Sequence, residues 1–375
     1  MKNKINKKLR IVFLDFDDIR NPLLGAGQAK ATREVAKRLV EKGHKVTVLC
    51  SKYPGCEERI ENGIKYIHIG LGTKNVRLNN LGYIFSIPLT IRNIKNTDII
   101  VECFTAPIST LMSPLFTKIP VVGLPTSFDA KRFAKLYHLP FELIERFGSK
   151  YYKYFIAFTP YLKNKMESLN PTVKTRIIPQ GVSSEYFKIK NKKPEYILFI
   201  GRLDMDQKGL DLLLNSYAKV AKTVKFPLVI AGNGPDRTKV KDLIIKLNLK
   251  DSVRLVGFAD EKNKLNLFSK AAFVAFPSRN EGFSLVSLEA LASGRRLVSF
   301  DIPSLDWTDD RVTRKVMGFN TDQYSKALSN ESKYNPKFNV EKVCRYYADK
   351  YSWESVADKF ESFFKEIIEE EKNDK

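Results

Sequence analysis

Four charged side chains in the second half of the chain are spaced as a diphosphate-sugar site would need them. Arg202 follows the apolar run Tyr196–Ile200 and Gly201, and Lys208-Gly209 comes just before the next helical stretch. If 196–200 is a buried strand, both cations stand at its carboxyl end. There the guanidinium fork, a point-charge ammonium and a helix N-terminus together suit a pyrophosphate. Two carboxylates follow, Glu281 ahead of a helix and Glu289 inside the apolar segment Leu285–Leu291. A carboxylate in so apolar a turn must be paired or accept hydrogen bonds, and ribose hydroxyls would supply them. Gly282, Phe283 and Ser284 add backbone N–H groups at the helix start, suited to phosphate or sugar oxygens. Taken singly, the same residues also read as solvated cations, a helix-entry acid and a structural ion pair.

The elements that must hold these residues alternate in period. In the first half, Leu9–Asp15, Lys45–Cys50, Ile64–Ile69, Asp98–Cys103, Ile119–Leu124, Phe155–Thr159 and Thr175–Pro179 read as short strands, with a helix over Ala29–Lys42 stopped by Gly43. The polar stretch Lys188–Pro194 reads as a linker. A second cycle follows: strands at Tyr196–Ile200, Leu228–Ala231, Val253–Val256, Phe273–Phe276 and Arg296–Phe300, with helices at 210–223, 237–247, 263–271 and 284–292 between them. The last amphipathic helix spans about Trp353–Glu370. Strands alternating with helices imply parallel sheets wound on both faces. The expected architecture is α/β, with two doubly wound Rossmann-like domains facing across a cleft. Their expected bounds are 1–188, 189–350, and a helix at 351–375 packing back toward the first domain. Ligands bind at the carboxyl ends of such strands.

Composition narrows the class. The chain has 375 residues, 43% of them hydrophobic, enough to fill two cores and too much for a disordered chain. Cys50, Cys56, Cys103 and Cys344 match neither a zinc nor a disulfide spacing, so a reducing cytoplasm is expected. No signal-peptide core follows the basic start, and no apolar run reaches the ~20 residues of a membrane span. Net charge is +22 and uneven: residues 1–190 carry 32 Lys and Arg against 15 Asp and Glu, and residues 191–375 carry 32 against 27. A basic first domain favours an anionic partner such as a membrane surface or a lipid-linked pyrophosphate. The stretches Asp129–Tyr137 and Lys150–Tyr154, which mix cations with aromatics, fit a peripheral membrane face as well as they fit a solvated helix with core aromatics. No nucleic-acid motif accompanies the charge, so nucleic acid is not an expected partner.

The ordered set Gly201-Arg202, Lys208-Gly209, Ala231-Gly232-Asn233-Gly234-Pro235, Val256-Gly257-Phe258, Glu281 with Glu289, and Ala292-Ser293-Gly294 resembles the family-four retaining glycosyltransferases of GT-B fold. The resemblance implies that Arg202 and Lys208 hold the donor diphosphate and stabilise the leaving nucleotide. It also implies that Glu281 meets the donor sugar, Glu289 the ribose, and Gly257-Phe258 the base. Gly25-Ala26-Gly27-Gln28 looks like the family's glycine loop, where a Cβ would block close backbone approach. The partners implied are a UDP- or GDP-linked sugar and a glycan or lipid-linked acceptor. No cofactor is implied and no metal site, the cations at Arg202 and Lys208 standing in for one.

Two departures matter. Many relatives carry a histidine near Pro125-Thr126-Ser127, where this chain has none; Thr126, Ser127 or Asp129 would have to substitute. Arg296 stands where proline is frequent, a change expected to touch only the surface. No residue announces itself as a carboxylate nucleophile, so the expected retaining mechanism is same-face attack with the departing phosphate taking the acceptor's proton. Loss of Arg202 or Lys208 is then expected to cut turnover by orders of magnitude without unfolding. His44 reads as a structural turn residue. A non-catalytic GT-B scaffold binding a nucleotide sugar is the alternative. A sugar-nucleotide epimerase would want more acid-base groups around the donor, and a dehydrogenase would want Gly-x-Gly-x-x-Gly directly after its first strand.

Overall fold

The computed structural model describes residues 8–23, 27–104, 112–125 and 130–373. Gly25, Thr126, Ser127 and Asp129 lie outside them. The chain divides into two compact units, Met1–Gln180 with Trp353–Lys375, and Gly181–Ser352. The chain therefore passes between units at 180/181, earlier than the linker at 188–194 suggests. That polar stretch is fastened to the second unit: Lys192 donates its N–H to the Ser269 carbonyl at 2.8 Å, and the Asn191 amide donates to the Ser293 carbonyl at 3.0 Å.

Among its described residues the first unit holds eight strands: β1 (Arg10–Leu14), β2 (Lys45–Ser51), β3 (Arg59–Glu61), β4 (Ile64–Ile69), β5 (Ile99–Phe104), β6 (Val121–Pro125), β7 (Tyr154–Ala157) and β8 (Lys174–Ile177). Their order is β3-β4-β2-β1-β5-β6-β7-β8. All neighbours are parallel except β3 and β4, which form an antiparallel edge hairpin through Asn62 and Gly63 at φ 52° and 75°. An Asn-Gly pair between short apolar runs makes that turn because both positions need positive φ. Chain order reverses on either side of β1, with β2 on one flank and β5 on the other. Such a switch point opens a crevice at the strands' carboxyl ends.

The helix Gly27–Glu41 follows β1 and buries Ala31, Val35 and Leu39. The helix Trp353–Asn373 packs into the same unit, burying Val356, Phe360, Phe363, Phe364 and Ile367. Its acidic flank meets basic residues of the first unit: Arg38–Glu354 at 2.7 Å, Lys42–Glu361 at 3.0 Å, Arg176–Glu366 at 2.5 Å and Lys153–Glu371 at 3.0 Å. His44 accepts the Leu9 N–H at Nδ1 and sits 3.2 Å from Glu361; burial lowers its pKa despite that carboxylate.

The second unit is a six-stranded, wholly parallel sheet in the order β11-β10-β9-β12-β13-β14. The strands are β9 (Tyr196–Ile200), β10 (Leu228–Ala231), β11 (Val253–Gly257), β12 (Ala271–Phe276), β13 (Leu297–Phe300) and β14 (Thr313–Val316). No helix among the described residues is long and apolar enough to cross a membrane.

Candidate functional site

The carboxyl ends of β9 and β12 bring together most of the residues singled out by type and spacing. Two glycines let the loops touch. A Cβ on Gly232 would lie 1.8 Å from the Gly201 carbonyl oxygen, and one on Gly209 (φ +63°) would lie 2.1 Å from that of Pro277. With neither present, the short helix Met205–Lys208 lies against the loop that follows β12. Asp204 caps that helix by accepting the Gln207 N–H at 2.9 Å. Arg279 clamps it from the other side, donating to the Met205 carbonyl at 2.8 Å and to both Asp211 oxygens at 2.8 and 2.6 Å.

Within this frame Lys208 Nζ lies 2.5 Å from Glu281 Oε1, which also accepts from Ser278 Oγ at 2.8 Å. Arg202 is oriented by Gln207 Oε1 at 2.6 Å and Asp204 at 3.2 Å. Its side chain stays 54% exposed, whereas those of Lys208 and Glu281 are 19% and 7% exposed. Arg202 is thus the cation presented outward, and Lys208 is the one held in reserve by a carboxylate.

Glu289 forms a second centre. It lies in the helix Leu285–Ala292, capped by Ser284, and is 3% exposed. Its ammonium partner is Lys264 at 2.8 Å, a residue with no local signal in the sequence. Tyr186 stands beside it, donating to Glu261 at 3.0 Å; burial and then the Glu289 and Glu261 carboxylates push the phenol far up. Phe283 stacks on Trp307 with ring centres 6.0 Å apart. Gly257 (φ +77°) has open space around its Cα, and Phe258 beside it is 78% exposed. Gly27 opens its helix in the first unit, and Gly25 is outside the described residues.

The expectation of no metal meets two Asp-x-Asp spacings, Asp15-Phe16-Asp17 and Asp204-Met205-Asp206. In both, the leading carboxylate is engaged by the chain itself, Asp15 by Thr32 Oγ1 at 2.5 Å and the Asp17 N–H at 3.2 Å, Asp204 by its helix cap. Among the described residues one group has ligand geometry, Asp18 with Cys50 and His68. Arg59 already donates to both Asp18 oxygens at 2.7 Å, and burial drives the Cys50 thiol well up, so a cation fits there poorly.

One expectation is corrected. Arg296 is not a surface residue: it is 4% exposed and bound to Glu331 at 2.6 Å. For the Lys150–Tyr154 stretch the core-aromatic reading describes two of the three tyrosines: Tyr152 and Tyr154 are core residues, donating to Glu102 at 2.5 Å and Glu371 at 2.8 Å, whereas Lys150, Tyr151 and Lys153 are exposed.

Solved structures with this architecture are GT-B glycosyltransferases. The sucrose-phosphate synthase of Thermosynechococcus elongatus superposes at TM-score 0.78 with 16% identity, over 96% of this chain and 99% of that one. The Anabaena protein HepE, solved with UDP and glucose, superposes at 0.70 with 13% identity, over 95% and 99%. The model for glycosyltransferase family 4 matches residues 25–186, and that for glycosyl transferases group 1 matches residues 183–324. The two run consecutively along the chain, which belongs to the family-four, group 1 glycosyltransferases. Among curated proteins it is 30% identical over 182 residues to an uncharacterised glycosyltransferase of Methanocaldococcus jannaschii. It is 39% identical over 109 residues to the Campylobacter jejuni N-acetylgalactosamine-N,N'-diacetylbacillosaminyl-diphospho-undecaprenol 4-alpha-N-acetylgalactosaminyltransferase. The matched stretches span 46% and 29% of this chain, and 45% and 28% of those two proteins.

Proposed function

We propose that this chain is a retaining, metal-independent glycosyltransferase. It takes a sugar from a UDP- or GDP-linked donor and passes it to a glycan or lipid-linked acceptor in cell-surface polysaccharide or glycolipid synthesis. The observation that carries the reading is the outward Arg202 guanidinium beside the Lys208–Glu281 pair at the carboxyl ends of β9 and β12. A diphosphate arriving there draws the Lys208 ammonium toward its oxygens. That exchange releases Glu281 to accept hydroxyls of the sugar. Arg202 and Lys208 then stabilise the charge that builds on the leaving phosphate, the work a metal does elsewhere. The phosphate oxygen takes the acceptor's proton as the new bond forms on the same face. Glu289, preset by Lys264, receives the ribose, and the Gly257-Phe258 segment meets the base through its backbone. HepE's complex with UDP supports a nucleotide in this fold, and the undecaprenol-linked substrate named for the Campylobacter relative supports a lipid-linked acceptor.

The acceptor side of the reading rests on the first unit. Helix Val76–Asn93 exposes Leu78, Leu81, Phe85 and Leu89, the last two 74% and 68% exposed, on a unit rich in lysine and arginine. Apolar side chains on a basic surface suit the inner face of an anionic membrane, where the enzyme would work as a peripheral cytoplasmic protein.

Thermal unfolding with UDP, GDP, ADP and their sugars, with and without EDTA, tests the proposal. A ligand that binds only the folded chain raises its melting temperature. Stabilisation by one nucleotide, unaffected by EDTA and lost in Arg202→Ala, is expected. Stabilisation by none would leave a scaffold without donor chemistry, and dependence on a divalent ion would sink the metal-independent part.

A further inference from the structure

At the opposite end of the second sheet, by the amino ends of β12 and β13, lies a cavity of ≈ 230 Å³. Asn191, Ala272, Arg295, Arg296, Glu331 and Glu341 line it. Ala272 is the second residue of β12 and Arg296 immediately precedes β13, whereas Arg202 and Ser278 follow the carboxyl ends of their strands. The length of a strand therefore separates this cavity from the donor site, and none of its residues serves that chemistry.

Its charges do not balance. Arg296 binds Glu331 at 2.6 Å and stacks on Tyr334 at 4.3 Å, and Arg314 shares the same glutamate at 2.9 Å. Arg345 takes Glu341 at 2.9 Å. Arg295 makes no ion pair of its own among the described residues. It is 8% exposed and donates to the Phe268 and Ser269 carbonyls at 3.0 and 2.5 Å, and the carboxylate whose charge it feels is Glu341, already held by Arg345 and Asn191. Four guanidinium groups thus meet two carboxylates, both already engaged. Burial lowers the Arg295 pKa to about 10, which still leaves it charged at neutral pH. A buried charge without a counter-ion is costly.

Two more groups point the same way. Helix Val340–Asp349 begins at the rim, and its first N–H groups and dipole favour negative charge. Asn191 spends its amide N–H groups on the Ser293 carbonyl at 3.0 Å and Glu341 at 2.8 Å, which fixes which way the amide points. Its carbonyl oxygen is buried with no donor. The missing ligand is therefore an anion that also carries a hydrogen-bond donor.

We propose that this cavity binds a protonated phosphate group, as orthophosphate or a phosphate monoester, with Arg295 as its counter-ion and Asn191 accepting its P–O–H. The inference does not depend on the donor-site reading. Thermal unfolding of the full chain, with sodium phosphate titrated at constant ionic strength, tests it. The expected rise is roughly 2–4 °C over chloride, weaker with sulfate, which has no proton to donate near neutral pH. It persists in Arg202→Ala and disappears in Arg295→Gln. Glucose 6-phosphate run in parallel separates the two sources: an equal rise assigns the site to a phosphoryl group, and none assigns it to the free ion. Because Arg295 also holds two carbonyls, its variant could fail to fold, so Ala272→Glu decides independently. That carboxylate supplies the counter-ion in place, raising the melting temperature without phosphate and abolishing the response. A phosphate response unchanged in Ala272→Glu, or no response beyond chloride, overturns the proposal.

Discussion

The two units finish their sheets in opposite ways. In the second, the loops after β9 and β12 are locked by Arg279–Asp211 and Lys208–Glu281, and the lock leaves Arg202 pointing outward. In the first, the acids after β1 are consumed internally. Burial pushes the Asp18 carboxyl up, but Arg59 and His68 together hold it well below the usual range. What the first unit leaves outward is apolar, along Leu78, Leu81, Phe85 and Leu89. One unit presents fixed charge and hydrogen-bond donors, which read a small polar ligand; the other presents apolar surface in a basic field, which suits an extended partner. A doubly wound, largely parallel sheet supports either because function sits in the loops and outer faces.

That contrast can be broken. The largest effect is expected from Glu331→Ala, which strands Arg296 and Arg314 beside the second sheet. Losing one partner of a buried pair costs about 3–5 kcal/mol, so denaturant unfolding of the second unit should shift to a markedly lower midpoint. An unchanged midpoint would mean the arginines are solvated. Next, Arg202→Ala should lower kcat/KM by about 10²–10³ with little change in melting temperature, because its side chain is largely exposed. Lys208→Ala is the less clean variant, since it abandons the buried Glu281 and should lose stability along with turnover.

The first unit is sharpened by pH. Burial raises the Asp15 carboxyl from 3.8 to about 6. The folded chain holds a proton there that the unfolded chain releases, so this group's contribution is full below pH 3.8 and is lost as pH rises through 6. Asp15→Asn should therefore stabilise at pH 7, by about 3 kcal/mol at most, and do nothing at pH 3.5. Glu361 has the opposite sign. Burial raises it, but Lys365 and Lys42 hold it at about 2 against 4.5, so its contribution is present above pH 4.5 and fades as pH falls through 2. A melting-temperature profile for each variant separates the two. Smallest, Phe85→Ser should leave stability untouched and weaken binding to anionic vesicles roughly tenfold; equal binding would remove that face from consideration.

Much of this was legible because its signals are local. Tyr196–Ile200, Leu228–Ala231 and Ile64–Ile69 are apolar or β-branched runs, and the structure makes each a strand with those bounds. Lys208 and Glu281 were both legible as residues at strand ends, but their 2.5 Å pairing is set by packing between loops 73 residues apart. The Asn62-Gly63 hairpin had a signal, overlooked because β3 is only three residues long. Strand β14 had none: Thr-Arg-Lys-Val reads as polar surface and becomes a strand by pairing with β13 at the sheet edge. Helix Val76–Asn93 carries Pro88 inside it, a residue that disfavours a helix interior and so gives the sequence no clean signal for one long helix there. Lys264 could not be assigned to Glu289, because a pair 25 residues apart is set by packing alone.

The passage of the chain at 180/181 and its return at 352/353 make the second unit an insertion within the first. Synthesis runs from the N-terminus, so residues 181–352 emerge complete while the first unit still lacks its closing helix. Phe13 and Val35 must then wait, partly uncovered, until Trp353, Val356 and Phe360 have been translated. The unit begun first is thus the last to be finished, and a ribosome stalled before residue 353 would hold a chain whose second unit is complete and whose first still lacks its closing helix.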